Sequence, residues 1–261
     1  MNSTNRIKGK LILITGASSG IGEACARRFA AEGARLALWA RRRERLDRLR
    51  SELDGAESGA VRLAQVDVRD RAAVNRATAE LVAAGPVPDV LINNAGLASG
   101  LSKLQEGDPE DWDRMIDTNL KGLLNVTRAV LPHMVARRRG HVVNIGSTAG
   151  HQVYQMGNVY NATKFGVRAL TEGMNLDVAG TKIRVSSVDP GHVETEFATV
   201  RFHGDAAKAK AVYEGFRPLA PEDVADTVGY IVNLPEHVNI LDLILLPAQQ
   251  RNVHLIDRTG R

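Results

Sequence analysis

The sequence predicts an α/β fold. Seven short apolar runs of four to six residues alternate with longer stretches of helical periodicity, as strands joined by crossover helices do. The first run leads directly into a glycine-rich turn and a helix, the opening of a dinucleotide-binding unit. With 261 residues, 44% hydrophobic and 25% charged, the chain can bury a large core. Only 4% of residues are aromatic, so that core is mostly aliphatic.

Leu11 to Ile14 is the first strand, and Thr15-Gly16-Ala17-Ser18-Ser19-Gly20-Ile21-Gly22 follows. A helix then runs through Glu32. The glycines are spaced G-x-x-x-G-x-G. Gly16 permits the tight turn, Gly20 lets a pyrophosphate approach the backbone, and Gly22 lets the helix pack on the strand. The helix N-terminus offers free N–H groups and partial positive charge to phosphates. Arg35 to Trp39 is the second strand, and its end reads Trp39-Ala40-Arg41-Arg42-Arg43. An NAD site usually carries Asp or Glu here for the ribose 2′-hydroxyl. The guanidinium groups of Arg41 and Arg42 suit a 2′-phosphate instead, so NADP is the physical choice. Arg43 to Arg50 reads as a charged helix, with Glu44 and Arg48 paired at i,i+4.

Val61 to Val66 is the third strand and ends in Asp67-Val68. Asp67 either faces a ligand crevice or caps the following helix, Ala72 to Ala84. Pro86 and Pro88 mark a loop before the fourth strand, Asp89 to Ile92. Asn93 and Asn94 either hold the adenosine side of a cofactor or satisfy turn backbone. Pro109 to Arg139 reads as one long helix capped by Asp108, with Asn119 in its interior. Arg137 to Arg139 before Gly140 reads as its solvated end. His141 to Ile145 is the fifth strand, with Ser147 at its carboxyl end, where ligands bind in such sheets.

Gly157 to Ala179 is the helix that bears Tyr160 and Lys164. Ile183 to Val188 is the sixth strand, before Asp189-Pro190-Gly191. Residues 195–217, with Phe197, Phe202, Tyr213 and Phe216, read as a substrate lid. A helix from Pro221 to Asn233 and a strand from Leu241 to Leu246 complete a single domain over 1–261. The polar tail, Gln249 to Arg261, is either an arm on a neighbouring subunit or disordered chain.

Composition narrows the function. No apolar run approaches the ~20 residues that span a bilayer. Met1 to Lys10 has no hydrophobic signal core, so a soluble, cytoplasmic protein is expected. Cys25 is the only cysteine, and the seven histidines show no HxxxH or HExxH spacing, so neither a disulfide nor a metal is expected. The net charge of +4 is modest, and no nucleic-acid partner is expected.

Tyr160 and Lys164 lie four residues apart, on one face of a helix. A lysine charge about 4–5 Å from a phenol, at an effective dielectric near 20, favours the phenolate by roughly 4 kcal/mol, or up to about three pK units. That brings a tyrosine towards acid–base work near neutral pH.

Taken in order, these residues resemble the short-chain dehydrogenase/reductases. The resemblance runs nearly end to end through Thr15 to Gly22, Asp67, Asn93 to Gly96, Asn119, Ser147, Tyr160-x-x-x-Lys164 and Pro190-Gly191-x-x-x-Thr195. It implies one Rossmann-like, doubly wound domain with a seven-stranded parallel sheet, assembled as a homotetramer or a dimer. Leu97 to Gly100, Met115 to Asn119, Gly146 to Gly150, Val193 to Phe197, Val200 to Phe202, Pro221 to Val224 and His237 to Ile240 resemble one branch more closely. That branch is the NADP-dependent serine and 3-hydroxy acid dehydrogenases, some of which reduce malonic semialdehyde. The implied reaction is hydride transfer between NADP(H) and the β-hydroxyl or carbonyl of a small 3-hydroxy acid such as serine, allo-threonine or 3-hydroxypropionate.

The resemblance also implies roles. Tyr160 accepts or donates the proton, and Lys164 lowers its pKa and holds the nicotinamide ribose. Ser147 holds the substrate oxygen, and Asn119 relays protons through a water near Lys164. The cofactor lies along Gly16, Ser18, Ser19, Gly20 and Ile21, then Arg41 and Arg42, then Asp67 and Val68. Asn94, Ala95 and Gly96 line its middle, and Pro190, Gly191, Val193 and Thr195 its nicotinamide end. Arg201 either clamps a substrate carboxylate or is a solvated loop arginine. Two alternatives stand beside this reading. A reductase of larger uncharged carbonyls would line an apolar pocket with the four lid aromatics. A cofactor-binding sensor would keep the fold without the reaction.

Overall fold

The computed structural model describes residues 5–53 and 60–259. The first four residues of the amino terminus and the last two of the polar tail lie outside the described residues. Seven strands form one sheet: β1 (Leu11–Thr15), β2 (Arg35–Ala40), β3 (Val61–Gln65), β4 (Val90–Asn93), β5 (Arg139–Ile145), β6 (Lys182–Pro190) and β7 (Asp242–Leu245). All pairs are parallel, in the order β3-β2-β1-β4-β5-β6-β7.

The apolar runs are continuous because helices cover both faces of the sheet. Ile12 and Ile14 pack towards α1 (Gly20–Ala31), α2 (Arg43–Leu53) and α9 (Pro221–Val232). Leu11 and Leu13 face α3 (Arg71–Ala83), α5 (Leu123–Ala136) and α6 (Asn158–Asp177). Cys25 lies in the first of these layers, where burial pushes its thiol up to about 12 and leaves it a packing group. β1 has β2 on one side and β4 on the other, so the chain reverses direction across the sheet there. In such sheets the ligand crevice opens at the carboxyl ends of the strands flanking that point.

Several boundaries differ from the sequence reading. The long helix is three pieces: α4 (Pro109–Ile116), a π turn at Asp117–Gly122, and α5. Asp108 caps it as expected, accepting from the Glu110 N–H at 2.9 Å. The arginine triplet is not a solvated helix end. Arg137 is half-buried, donating to Val87 O and Pro88 O and pairing with Asp89 at 3.2 Å. Arg138, not Gly140, takes the left-handed turn, at φ 57°. Arg139 already pairs with Lys182 in the sheet, because β5 and β6 extend together below the expected start. In α2 the i,i+4 pair is Arg43–Asp47 at 3.0 Å rather than Glu44–Arg48.

The described part of the tail packs against its own chain. Gln250 is 2% exposed and its Oε1 accepts from the His192 N–H at 3.0 Å. The Gln249 carbonyl accepts from Asp257 N, and Arg258 lies over the Phe216 ring. The tail therefore folds back over its own chain. The short helices α7 (Phe197–Arg201) and α8 (Ala206–Ala211) occupy the segment read as a lid.

Candidate active site

A cleft of ≈ 270 Å³ opens at the carboxyl ends of β1 and β4. Gly16 and Gly20 turn the chain at φ 65° and 55°, where a side chain would be strained. Gly22 meets the turn rather than the strand: a Cβ there would strike Gly16 O and Asn94 Nδ2. Ser19 stands at the N-cap of α1 without a side-chain cap bond, so its hydroxyl does not compete for the first N–H groups. These features suit a pyrophosphate held against backbone.

The two arginines at the β2 end differ. Arg42 is engaged: its guanidinium donates to Ser18 Oγ at 3.3 Å, Ser19 Oγ at 2.7 Å and Glu196 at 2.9 Å. Arg41 is exposed, lines the cleft, and has no side-chain partner among the described residues. It is the guanidinium available to a 2′-phosphate. Arg41→Ala is expected to lower kcat/KM with NADPH by ~10–100-fold, the loss of a charge-assisted hydrogen bond, and to spare NADH. Equal losses with both cofactors would remove Arg41 from this role.

Asp67 does not cap α3; Asp70 does, accepting from Ala73 N at 3.0 Å. Asp67 lines the cleft, and the Arg69 guanidinium holds its carboxyl below the usual range. Asn93 is buried under the sheet end and donates to Thr127 Oγ1 and Asn144 Oδ1. Asn94 satisfies the turn, donating to Thr15 O at 3.0 Å and Gly16 O at 3.2 Å, while also lining the cleft. Gly16, Ser18, Ser19, Gly20, Ile21, Val68, Ala95, Gly96, Pro190, Gly191, Val193 and Thr195 all line the same cleft.

Ser147, Tyr160 and Lys164 converge at its inner end. Burial raises the Tyr160 phenol above its ordinary value, while the Arg201 charge and the nearby Ser147 hydroxyl pull it back. Lys164 Nζ stands 5.9 Å from the Tyr160 ring centroid and donates to Ile145 O at 2.9 Å. Tyr160 and Lys164 do not form a simple cation–phenol pair. Both groups are buried, desolvation opposes charge on each, and the cation acting on Tyr160 is Arg201. Burial lowers Lys164 itself to about 8.

Asn119 sits within the π turn, a feature that often marks functional sites. Its side chain is engaged at both polar atoms. Nδ2 donates to Leu97 O at 2.8 Å and Thr163 Oγ1 at 3.0 Å, and Oδ1 accepts from Leu97 N at 2.9 Å. A helix-interior asparagine is thus accounted for as a brace between the helix, the loop after β4 and α6. Both of its amide hydrogens are taken by these bonds, and Oδ1 keeps a second lone pair.

Arg201 is not a solvated loop arginine. Its guanidinium carbon lies 5.1 Å from the Tyr160 centroid, 5.5 Å from that of Tyr154 and 5.6 Å from that of Phe197. One terminal nitrogen donates to Tyr154 Oη, and Nε is buried without a partner. No carboxylate pairs with it among the described residues. Glu196, next to α7, pairs instead with Arg42 and Arg45, tying this segment to the cofactor side. Of the four lid aromatics, only Phe197 lines the cleft. Tyr213 donates to Val193 O, and Phe216 packs on His192.

The sequence reading missed Tyr154 and a buried acid behind the site. Asp189 accepts from Ser187 Oγ at 2.6 Å and bonds His151 Nε2 at 2.7 Å, with Asp242 3.6 Å from that nitrogen. Burial, and then the neighbouring Asp242 carboxyl, raise Asp189 to about 6. A Cβ on Gly146 would collide with its Oδ1. Asp189 lies at the carboxyl end of a strand, and Asp67 just beyond one, so its position at the ligand end of the sheet is the signal the sequence carries for it.

A doubly wound sheet with a phosphate turn at its switch point and a Ser-Tyr-Lys group at the next strand tip defines a dehydrogenase. The chain belongs to the short chain dehydrogenase family, whose model matches residues 10–206. Over 241 residues it is 48% identical to the NADP-dependent 3-hydroxy acid dehydrogenase YdfG of Salmonella typhi, covering 92% of this chain and 96% of that protein. It is 46% identical over 241 residues to sulfoacetaldehyde reductase 2 of Chromohalobacter salexigens, covering 92% and 95%. A solved structure of the closed form of serine dehydrogenase complexed with NADP+ superimposes with a TM-score of 0.86 at 46% identity, covering 92% of this chain and 96% of that one.

Proposed function

We propose that this protein is an NADP-dependent oxidoreductase acting on the β-hydroxyl or carbonyl of a small 3-hydroxy acid. The observation that carries the substrate class is Arg201, a cation packed on the Tyr160 ring with a buried, unpartnered Nε. A carboxylate there would satisfy the guanidinium and set the β-carbon beside the phenol. The substrates named for the relatives support this, since a 3-hydroxy acid, serine and sulfoacetaldehyde all carry an anionic group.

NADP(H), when bound, supplies the hydride acceptor or donor. The residues that would hold it are Gly16, Ser18, Ser19, Gly20 and Ile21 at the phosphates and Arg41 at the 2′-phosphate. Arg42 would back the phosphate turn through its serine bonds. Asp67, Val68, Asn94, Ala95 and Gly96 would line the adenosine side and middle, and Pro190, Gly191, Val193 and Thr195 the far end. Tyr160 gives a proton to the substrate oxygen in reduction and takes it back in oxidation. Ser147 fixes that oxygen against the phenol. Lys164 supplies the cation between Tyr160 and the cofactor ribose, and Asn119 positions Leu97 and Thr163 around it. We further place the protein in the cytoplasm as a homotetramer, on family resemblance. We assign 1–261 to one catalytic domain with a lid at 195–217.

Comparing serine or 3-hydroxypropionate with an uncharged secondary alcohol tests the substrate class. Arg201→Ala is expected to raise KM for the acid by ~10–100-fold and leave KM for the alcohol unchanged, while any change in kcat through Tyr160 falls on both substrates alike. Equal changes in KM for both would remove the clamp. Of the four aromatics that the reading with larger uncharged carbonyls needs, only Phe197 lines the cleft, and Arg201 lies just beyond it beside Tyr160, in a hollow with Ser99, Asp111 and Trp112.

A further inference from the structure

At the opposite end of the sheet from Tyr160, the amino-terminal ends of β1, β2, β5 and β6 surround a second cavity of ≈ 340 Å³. Its wall carries Lys8, Lys10, Arg35, Arg139, Lys182 and Arg184 against two carboxylates, Asp89 and Glu236. None of the six cations is in an ion pair with a described residue. Asp89 is already committed, accepting from the Leu11 N–H at 2.9 Å and pairing with Arg137 at 3.2 Å. That leaves Glu236 alone against six positive charges.

The cations fall into a fixed pair and a free set. Arg184 donates to the carbonyls of Ile231, Val232 and Val238, and Arg35 donates to Gly9 O. Both are held by neutral oxygens that leave their charge uncompensated. Lys8, Lys10, Arg139 and Lys182 make no side-chain hydrogen bond among the described residues. The crowding is felt locally: burial and then the Arg184 charge lower the proton affinity of Lys10. His141 also lines the cavity, only 2% exposed. Its Nε2 meets Ser186 Oγ at 2.8 Å and its buried Nδ1 has no partner. Burial, Arg184 and Lys10 keep this imidazole neutral. When Ser186 donates to Nε2, Nδ1 carries the hydrogen and is a donor without an acceptor.

A concave pocket with this excess of cations, distant from the reaction, selects an anion of high charge density. We propose that this cavity is a second ligand site, for a small molecule bearing two phosphate-type groups. Its concave shape favours a small ligand over nucleic acid, which would use a stripe of charge rather than a hollow between strand ends.

The test is titration of the full chain with inorganic pyrophosphate, monitored by calorimetry and by melting temperature. NADP+ is supplied at one equivalent, so that the phosphate turn near Gly16 is filled without excess dinucleotide to compete at the second cavity, and ionic strength is held constant with chloride. We expect saturable one-site binding and a rise in melting temperature. Arg139→Gln with Lys182→Gln removes two exposed strand-start cations and should weaken binding at least tenfold, with turnover unchanged. Lys10→Gln should weaken it several-fold on its own. Absence of binding with the cofactor cleft filled overturns the proposal, as does unchanged affinity in these variants. Binding of a short single-stranded RNA that pyrophosphate does not displace also overturns it.

Discussion

Tyr160→Phe is expected to lower turnover by ~10²–10⁴-fold, the usual worth of a positioned general acid or base. NADPH affinity should stay within about twofold, because the hydroxyl faces the substrate side with Ser147 and Arg201. The fold should tolerate the change. The phenyl ring keeps its edge-on contact with Phe197, at 5.6 Å between centroids, and the lost hydroxyl interaction is worth only ~1 kcal/mol. Single-turnover hydride transfer and a direct cofactor titration separate the two effects. Turnover within tenfold of the parent would place the proton on another group. Comparable losses of turnover and cofactor affinity would mean that the ring, not the hydroxyl, carries the effect. The pH profile adds a second check. Burial opposes the phenolate and Arg201 favours it, so Arg201→Ala should move the acid–base limb of kcat upwards in pH.

What could be read from the sequence divides by the range of the interaction. Strands and helices were legible because apolar runs and helical periods are local, and parallel order follows from right-handed crossovers. The phosphate turn was legible for the same reason, as glycine spacing is a backbone property. The π turn was not, and the bonds made from it are remote: Asn119 reaches the Leu97 backbone and Thr163, 22 and 44 residues away. The fate of Arg137 was hidden likewise, since its carbonyl acceptors lie some 50 residues earlier. The largest miss concerns charge. A Tyr and a Lys four apart suggest a simple cation–phenol pair. What decides their proton affinities is burial, together with Arg201 and Asp189 from other elements. Neither burial nor remote charge is written in a four-residue spacing. The tail's fold-back was equally invisible, because Gln250 finds its acceptor role only once Gly191 and His192 are beside it.

Lys164→Met should remove activity and stabilise the protein. Lys164 falls from an ordinary 10.5 to about 8 on burial, so the unfolded chain holds its proton more tightly than the native one. Stability therefore rises with pH between about 8 and 10.5, and the full cost of burying the charge is borne below about 8. At pH 7 that cost is about 3 kcal/mol. Methionine keeps the unbranched stem in the layer under α6 and drops the charge. It also leaves Ile145 O without its 2.9 Å donor, which returns ~1–2 kcal/mol of the gain. The balance is a net stabilisation of ~1–2 kcal/mol near neutrality, or a few degrees in Tm for a chain of this length. Turnover should fall by ~10²-fold or more, as the cation between Tyr160 and the cofactor ribose is gone. The distinguishing result is the pH dependence of the difference. The variant's Tm advantage should shrink steadily above pH 8 and vanish or reverse by about pH 10.5, where the native lysine is neutral at little cost. A variant less stable than the parent at pH 7, or an advantage independent of pH, would show that Lys164 does not bear this burial cost. The position would then be held by packing, and retention of a buried cation there could no longer be explained as stability given up for chemistry.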